Sequence, residues 1–183
     1  STGVSITKTG PKEIMANQPV RFAFSQIANT SNVSLSNFYW RDTLPAQVTV
    51  NRLVTGTYNQ AQNYKIVYKV NGAGTYRTLA DNLSTTKNYV LDMRPAVLGL
   101  AANERVTEIM FVFGTVPAGF AQVETPVLYG TVCGGLSNGT NLVNSADVGG
   151  LYSGQWIQAV SRWLTSVYVK TTASSASVTY TAY

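Results

Sequence analysis

Short runs of β-branched and aromatic residues, separated by clusters of turn residues, restrict the fold of this chain most strongly. Roughly ten or more such runs occur, and they alternate apolar with polar side chains as half-buried strands do. Between Tyr64–Val70 and Tyr76–Leu79 stands Asn71-Gly72, a pair typical of a tight β-hairpin. No segment shows convincing helical periodicity. The sequence therefore predicts an all-β fold, an antiparallel β-sandwich elaborated with extra strands.

The domain organisation follows from the length and from the even composition. The chain has 183 residues and no linker-like shift in composition. We expect one elaborated sandwich spanning residues 1–183. The alternative is a pair of smaller β domains that divide near Pro95.

Four late segments give more specific predictions. Because proline cannot donate to a central ladder, Pro126 predicts that the strand within Val123–Val132 lies at a sheet edge. Trp156–Val160 and Trp163–Val169 are predicted as two strands. Val178–Tyr180 is expected to be a last edge strand or a frayed end.

The chemistry available to the chain is limited by its composition. It has no histidine and a single cysteine, Cys133. A Cys/His zinc site, a Ser-His-Asp or Cys-His triad and a disulfide within the chain are therefore excluded. The eight acidic residues are scattered, without a glycosidase-like pair or an Asp/Asn-rich calcium loop. We expect no turnover enzyme, no metal site and no cofactor.

The charge pattern bears on possible partners. Thirteen basic and eight acidic residues give a net charge of +5, and the basic residues form no cluster or stripe. The charge is therefore interpreted as solvation, and no nucleic-acid partner is expected. No apolar run reaches membrane-spanning length, so this segment is not expected to cross a membrane.

Two charged residues fall where the strand pattern predicts burial. Phe38-Tyr39-Trp40 leads directly to the carboxylate of Asp42, just before a Thr-Leu-Pro corner. At the start of the chain, alternation places Val4, Ile6 and Lys8 on one strand face. A charge at such a position has to be paired, hydrogen-bonded or neutralised by a change in protonation.

Four short motifs resemble bacterial surface repeat domains of the DUF11 type. Ser5–Gly10 is similar to the "K-T" first strand of that family, and Asn29-Thr30 to its "N-T" turn. Trp40–Ala46 resembles its "D-T-L-P-A" corner, and Asn144–Val148 its late "N-x-A-x-V" strand. The order and spacing of the motifs agree from Ile6 to Val148. The segment from 58 to 116 is longer than the family pattern.

This resemblance implies an Ig-like sandwich from an extracellular protein of the bacterial cell surface. Its partners would be neighbouring domains of the same surface protein, and its role structural or adhesive. In the related fimbrial and adhesin domains, a first-strand lysine bonds covalently to a late-strand asparagine, assisted by a buried carboxylate. Carried over, the resemblance makes Lys8 the amine, Asn144 the acceptor amide and Asp42 the carboxylate. Glu108, in the most apolar strand, is the rival carboxylate.

The chemistry of such a crosslink is sound on general grounds. Burial lowers the pKa of a lysine, and only the neutral amine attacks an amide carbon. A protonated carboxyl group in the same dry pocket polarises the amide and shuttles protons. Plainer interpretations stay open for each residue. Lys8 points to solvent or pairs with Asp42, Asp42 caps a turn, and Asn144 satisfies a turn.

A second class of function is ligand binding. Exposed aromatic side chains stack on sugar rings, and Tyr152, Trp156 and Trp163 are the candidates for an adhesin that binds a host or glycan ligand. The alternative is that these aromatics are packed in the core.

Overall fold

A computed structural model describes residues 1–170 of the chain, and the predicted Val178–Tyr180 strand lies outside the described residues. Twelve strands and one helical turn follow each other along these residues. They are β1 (Val4–Thr9), β2 (Glu13–Met15), β3 (Pro19–Asn29), β4 (Leu35–Thr43), β5 (Val48–Val54), β6 (Asn63–Val70), β7 (Arg77–Ser84), β8 (Val90–Asp92), α1 (Pro95–Leu98), β9 (Val106–Val116), β10 (Val127–Val132), β11 (Asn141–Tyr152) and β12 (Gln155–Tyr168).

The strands form two sheets that enclose a common core, which confirms the predicted β-sandwich. The five-stranded sheet has the order β1-β3-β10-β5-β8, and the seven-stranded sheet has the order β2-β12-β11-β4-β9-β6-β7. All strand pairs are antiparallel except the short parallel contact between β2 and β12. Both sheets combine strands from before and after Pro95.

Aromatic side chains fill the space between the sheets. Trp40 stacks on Phe111 with ring centroids 4.1 Å apart, and Phe24 packs against the same indole at 4.7 Å. The Trp40 Nε1–H donates to the hydroxyl of buried Tyr58 at 3.0 Å. These contacts fix the end of β4 and so determine where the next inward-facing residue, Asp42, enters the core.

Two strand predictions need correction. Pro126 does not mark an edge strand: it lies one residue before β10, which is the central strand of its sheet. The missing N–H therefore falls outside the ladder. The late runs are also not two strands, because β12 continues unbroken from Gln155 to Tyr168, paired with β11 along Gln155–Ser166.

β6 and β7 form the predicted hairpin, but its loop spans residues 71–76, and Asn71-Gly72 forms only the first turn of that loop. Both residues have positive φ, 52° and 66°, as the tight turn after β6 requires. β7 then pairs with β6 in antiparallel register.

Among residues 1–170, no helix is long and apolar enough to span a bilayer.

Candidate functional site

Lys8, Asp42 and Asn144 lie together between the sheets; we call these three residues the inner cluster. Lys8 is the third inward-facing residue of β1, after Val4 and Ile6, as the alternation predicted. Asp42 follows Phe38 and Trp40 on the buried face of β4. The side chains of Lys8 and Asp42 are 0% and 2% exposed, respectively. The two charges are therefore among the most deeply buried groups of the molecule.

Asn144 reaches the same pocket from β11. It belongs to a buried row with Leu142, Ala146 and Val148, and it is 0% exposed. Ala146 is the direct cross-strand partner of Asp42, so Asn144 is the diagonal neighbour on the same face. β1 packs against β11 across the interior, which brings Lys8 to the other side.

The contacts inside the cluster are unequal. Lys8 Nζ donates a hydrogen bond to Asp42 Oδ1 at 2.7 Å. The ammonium also lies 4.2 and 4.4 Å from the ring centroids of Phe24 and Phe22. Within residues 1–170, Asp42 Oδ2 and both polar atoms of the Asn144 amide have no hydrogen-bond partner. A buried amide without partners is costly, which makes Asn144 the anomalous member of the cluster.

Burial shifts both titratable groups towards their neutral forms. It lowers the pKa of Lys8 to about 8, against the opposing attraction of Asp42. Burial also raises the pKa of Asp42, against the attraction of Lys8 and a smaller lowering effect of the Asn144 amide. That amide is near enough to act on the carboxyl, although no hydrogen bond of ordinary geometry joins them. Moving one proton along the 2.7 Å contact converts the ion pair into a neutral amine and a carboxylic acid.

The plainer interpretations of these residues can now be compared with their positions. Lys8 does not point to solvent but pairs with Asp42. Asp42 lies within β4, where it accepts a hydrogen bond from Lys8, and Asn144 lies within β11 rather than in a turn.

Glu108 lies away from the inner cluster. It is only partly buried and accepts a hydrogen bond from the Tyr76 hydroxyl at 2.6 Å, with Lys69 Nζ 3.9 Å away. Its cross-strand partner on β4 is Thr43, not Asp42. The structure therefore brings Asp42, and not Glu108, to Lys8.

A second polar cluster, which the sequence did not reveal, lies on the outer face of the same two strands. This outer cluster consists of Tyr39, Arg41 and Asp147. Arg41 donates to both oxygens of Asp147, at 2.9 Å from Nε and 2.7 Å from Nη2, and the Tyr39 hydroxyl donates at 2.8 Å. Burial, with this hydrogen bond to Asp147, raises the pKa of Tyr39 to about 12. The sequence signal for this cluster was the alternation of β4, because Tyr39 and Arg41 flank the inward-facing Trp40 and therefore point outward.

The three candidate binding aromatics are separated. Trp163 is half-buried against the core, and its Nε1–H donates to the Pro11 carbonyl at 2.8 Å. Tyr152 ends β11 at the hairpin, and it is 42% exposed. Trp156 is 50% exposed and stands edge-on to Tyr39, with centroids 6.0 Å apart. It borders a groove of about 400 Å³ whose walls include Arg41, Tyr76 and Gln158.

Comparisons with known proteins add little to this geometry. No family model matches the chain, and no curated protein matches it either. The DUF11 resemblance therefore stays a prediction. Among the residues that the structure describes, no three acidic or thiol side chains gather as a metal site.

Several solved structures are similar to the chain at low scores. A cohesin module of a family 33 glycoside hydrolase from Clostridium perfringens is 8% identical, with 93% of this chain and 100% of that one covered and a TM-score of 0.47. A variant of BcpA, the major pilin subunit of Bacillus cereus, is 11% identical, covering 91% of this chain and 41% of that one at 0.47. A collagen-binding domain from a Staphylococcus aureus adhesin is 11% identical, covering 89% and 100% at 0.36. Scores and identities this low carry no inference about function.

Proposed function

We propose that the chain is a structural module of an extracellular bacterial surface protein, stabilised by a covalent bond between Lys8 and Asn144. The observation that carries this proposal is the inner cluster itself. An amine lies 2.7 Å from a buried carboxylate, beside an amide whose polar atoms have no partner among residues 1–170. A plain structural ion pair accounts for Lys8 and Asp42, but it leaves the buried amide of Asn144 unexplained.

The reaction would proceed once per molecule. After proton transfer to Asp42, the neutral Nζ of Lys8 attacks Cγ of Asn144, and the protonated carboxyl group donates a hydrogen bond to Oδ1. Asp42 then carries a proton from the attacking nitrogen to Nδ2. The Cγ–Nδ2 bond breaks, ammonia leaves, and a secondary amide joins the two side chains. Asp42 ends as the neutral carboxylic acid that the first proton transfer produced. Because Lys8 and Asn144 are consumed, the step is self-modification and not turnover.

The bond would be useful because of where it lies. β1 is the edge of one sheet and β11 is an inner strand of the other, so the crosslink joins the two sheets. It also closes a loop of more than a hundred residues. By analogy with a disulfide that closes such a loop, it would stabilise the fold by about 4–5 kcal/mol. A chain with a single cysteine has no disulfide of its own to do this.

Intact mass measurement tests the proposal directly. We expect the purified protein to be lighter than its sequence by one ammonia molecule, and proteolysis to yield a branched peptide containing Lys8 and Asn144. Lys8→Arg, which keeps the positive charge, and Asn144→Ala should both show the full sequence mass. Asp147→Asn, on the same strand as Asn144, is the matched control and should still lose ammonia. A wild-type mass equal to the sequence sum would refute the bond.

An adhesive role is the second candidate function, favoured by the exposed indole of Trp156 beside Tyr39. An aromatic surface of this kind suits the flat face of a neutral sugar. Titration of the purified protein with neutral oligosaccharides tests it, and absence of binding would remove it. Neighbouring domains of the same surface protein remain the partners expected for the structural role.

A further inference from the structure

The outer face of the five-stranded sheet carries a row of side chains that alternates arginine with tyrosine. Tyr129 of β10 has Arg21 of β3 as its cross-strand partner on one side and Arg52 of β5 on the other. Arg52 is in turn the partner of Asp92 on β8. Four neighbouring strands therefore each contribute one residue to a continuous line across the sheet.

Among the described residues, the charges of the two arginines in this row are not neutralised by a carboxylate. Both are exposed, and within residues 1–170 neither forms an ion pair with a carboxylate. Asp92, the acidic group of the row, is held by Arg94 at 2.6 Å. Arg21, Arg52 and Arg94 therefore face a single neutralising carboxylate, and the row is cationic.

Arg52 is also held in place. Its guanidinium carbon lies 4.0 Å from the centroid of the Tyr129 ring, as in a cation–π stack. Stacking leaves the planar N–H groups at the rim free to bind an anion bidentately. The row forms one wall of a cleft of about 650 Å³, which also includes Pro19, Asn51 and exposed Val90.

We propose that this cleft binds an acidic glycan whose carboxylate or sulfate groups recur on alternate sugars. The ligand has to be anionic because the row has an excess of unpaired guanidinium groups. Arg21 and Arg52 are two strands apart, which corresponds to roughly 9.5 Å across the sheet. A polysaccharide with one charge per disaccharide repeats on a comparable length.

The same spacing disfavours an acidic peptide. On an extended peptide, side chains of one face recur about every 6.6 Å, so two carboxylates would not meet both arginines. Nucleic acid is disfavoured for a different reason, since its binding normally relies on many phosphate contacts and a broad basic surface.

Binding of defined polymers to the purified protein tests this site. We expect oligosaccharides of hyaluronate, which carries carboxylates only, or of chondroitin sulfate, which carries both groups, to bind at low salt. Neutral dextran should not bind in this cleft, so any dextran response should be the same in wild type and in Arg52→Gln. A response to chondroitin sulfate alone would assign sulfate as the recognised group, and a response to both would assign the carboxylate. Poly-glutamate or polyphosphate binding as tightly as the glycans would overturn the proposal, as would no glycan binding.

Matched variants separate a site from general attraction to a basic protein. Arg21→Gln and Arg52→Gln should each weaken glycan binding about tenfold, the loss expected for one charged hydrogen-bonded contact. Arg52→Lys keeps the charge without the planar stack, and it should recover only part of the affinity. Arg162→Gln removes one exposed charge from the outer face of the other sheet and should change affinity less than about twofold. Equal losses in Arg162→Gln and Arg52→Gln would overturn the proposal.

Discussion

The inner and outer clusters both depend on β4 and β11, but they lie on opposite faces of these two strands. Asp42 and Arg41 are adjacent on β4, and their partners Ala146 and Asp147 are adjacent on β11. The carboxylate of Asp42 is therefore buried in the core, whereas that of Asp147, only one position further along the same pair of strands, lies at the surface. Asp147 makes three hydrogen bonds to its neighbours, whereas Asp42 makes one and has a free oxygen among residues 1–170.

The difference shows that burial and residue type together decide what a salt bridge can do, because the Arg41 guanidinium keeps its proton in any protein environment, whereas a buried lysine can lose its own. The outer pair has side chains 31% and 16% exposed, so water stabilises its charges and the pair is modest in energy. The inner pair is dry, and both partners are pushed towards neutrality. Only the inner pair therefore offers a neutral amine and a carboxylic acid at contact distance.

Removing the carboxylate from each cluster should give the largest difference in stability between the inner and the outer cluster. Asp42→Ala leaves the Lys8 ammonium buried without a partner, which costs about 3–5 kcal/mol, and it also prevents the crosslink. Asp147→Ala loses a partly exposed pair and should cost about 1 kcal/mol. Thermal and urea unfolding measure both variants. Similar losses would show that the inner cluster has no special role.

A smaller effect separates the ion pair from the crosslink. Asn144→Ala keeps Lys8 as a free amine, whose pKa is about 8 in the folded state and 10.5 when unfolded. Between these values the unfolded chain binds more protons, so the stability of this variant should rise with pH. In the crosslinked wild type Lys8 no longer titrates, so this rise should be missing. Urea unfolding at several pH values checks the difference, and parallel curves for both proteins would contradict it.

The smallest effect is expected in the outer cluster. Because the pKa of Tyr39 is raised from 10.0 to about 12, its contribution is complete below pH 10 and is lost as the pH rises through 12. Tyr39→Phe should lower stability at neutral pH by about 1 kcal/mol or less. The variant should also lose less stability than wild type over the alkaline range. Unfolding measured at pH 7 and again above pH 10 tests both statements.

Two members of the inner cluster could be predicted from the strand pattern: Lys8 follows two apolar residues on its face, and Asp42 follows Phe38-Tyr39-Trp40. Asn144 came only from the resemblance, and the structure shows it in a buried row with Leu142 and Ala146. A polar residue in such a row has to be buried or the strand has to be shifted. The sequence could not distinguish Asp42 from Glu108 until the pairing of β4 with β9 was known, because Asp42 follows one apolar run and Glu108 precedes another.

Features that depend on neighbouring strands could not be predicted in this way. The row of Arg21, Tyr129 and Arg52 exists because β10 lies between β3 and β5, and these strands are far apart in sequence. The continuity of β12 is similar, since its pairing with β11 along Gln155–Ser166 overrides the weak local pattern around Ser161. The edge-strand prediction from Pro126 was wrong because an offset of one residue decides whether a proline lies inside or outside a ladder. The sequence does not show where the ladder begins.

The placement of Lys8 and Asn144 on strands of different sheets has a mechanical meaning. If the chain is pulled from points before Lys8 and beyond Asn144, a bond between these side chains would pass the load from β1 directly to β11. The residues from 9 to 143 would then carry no tension, and their hydrogen bonds would not have to resist it. Among the described residues, the length over which the domain could yield would shrink to residues 1–7 and 145–170, which include the rest of β11 and all of β12.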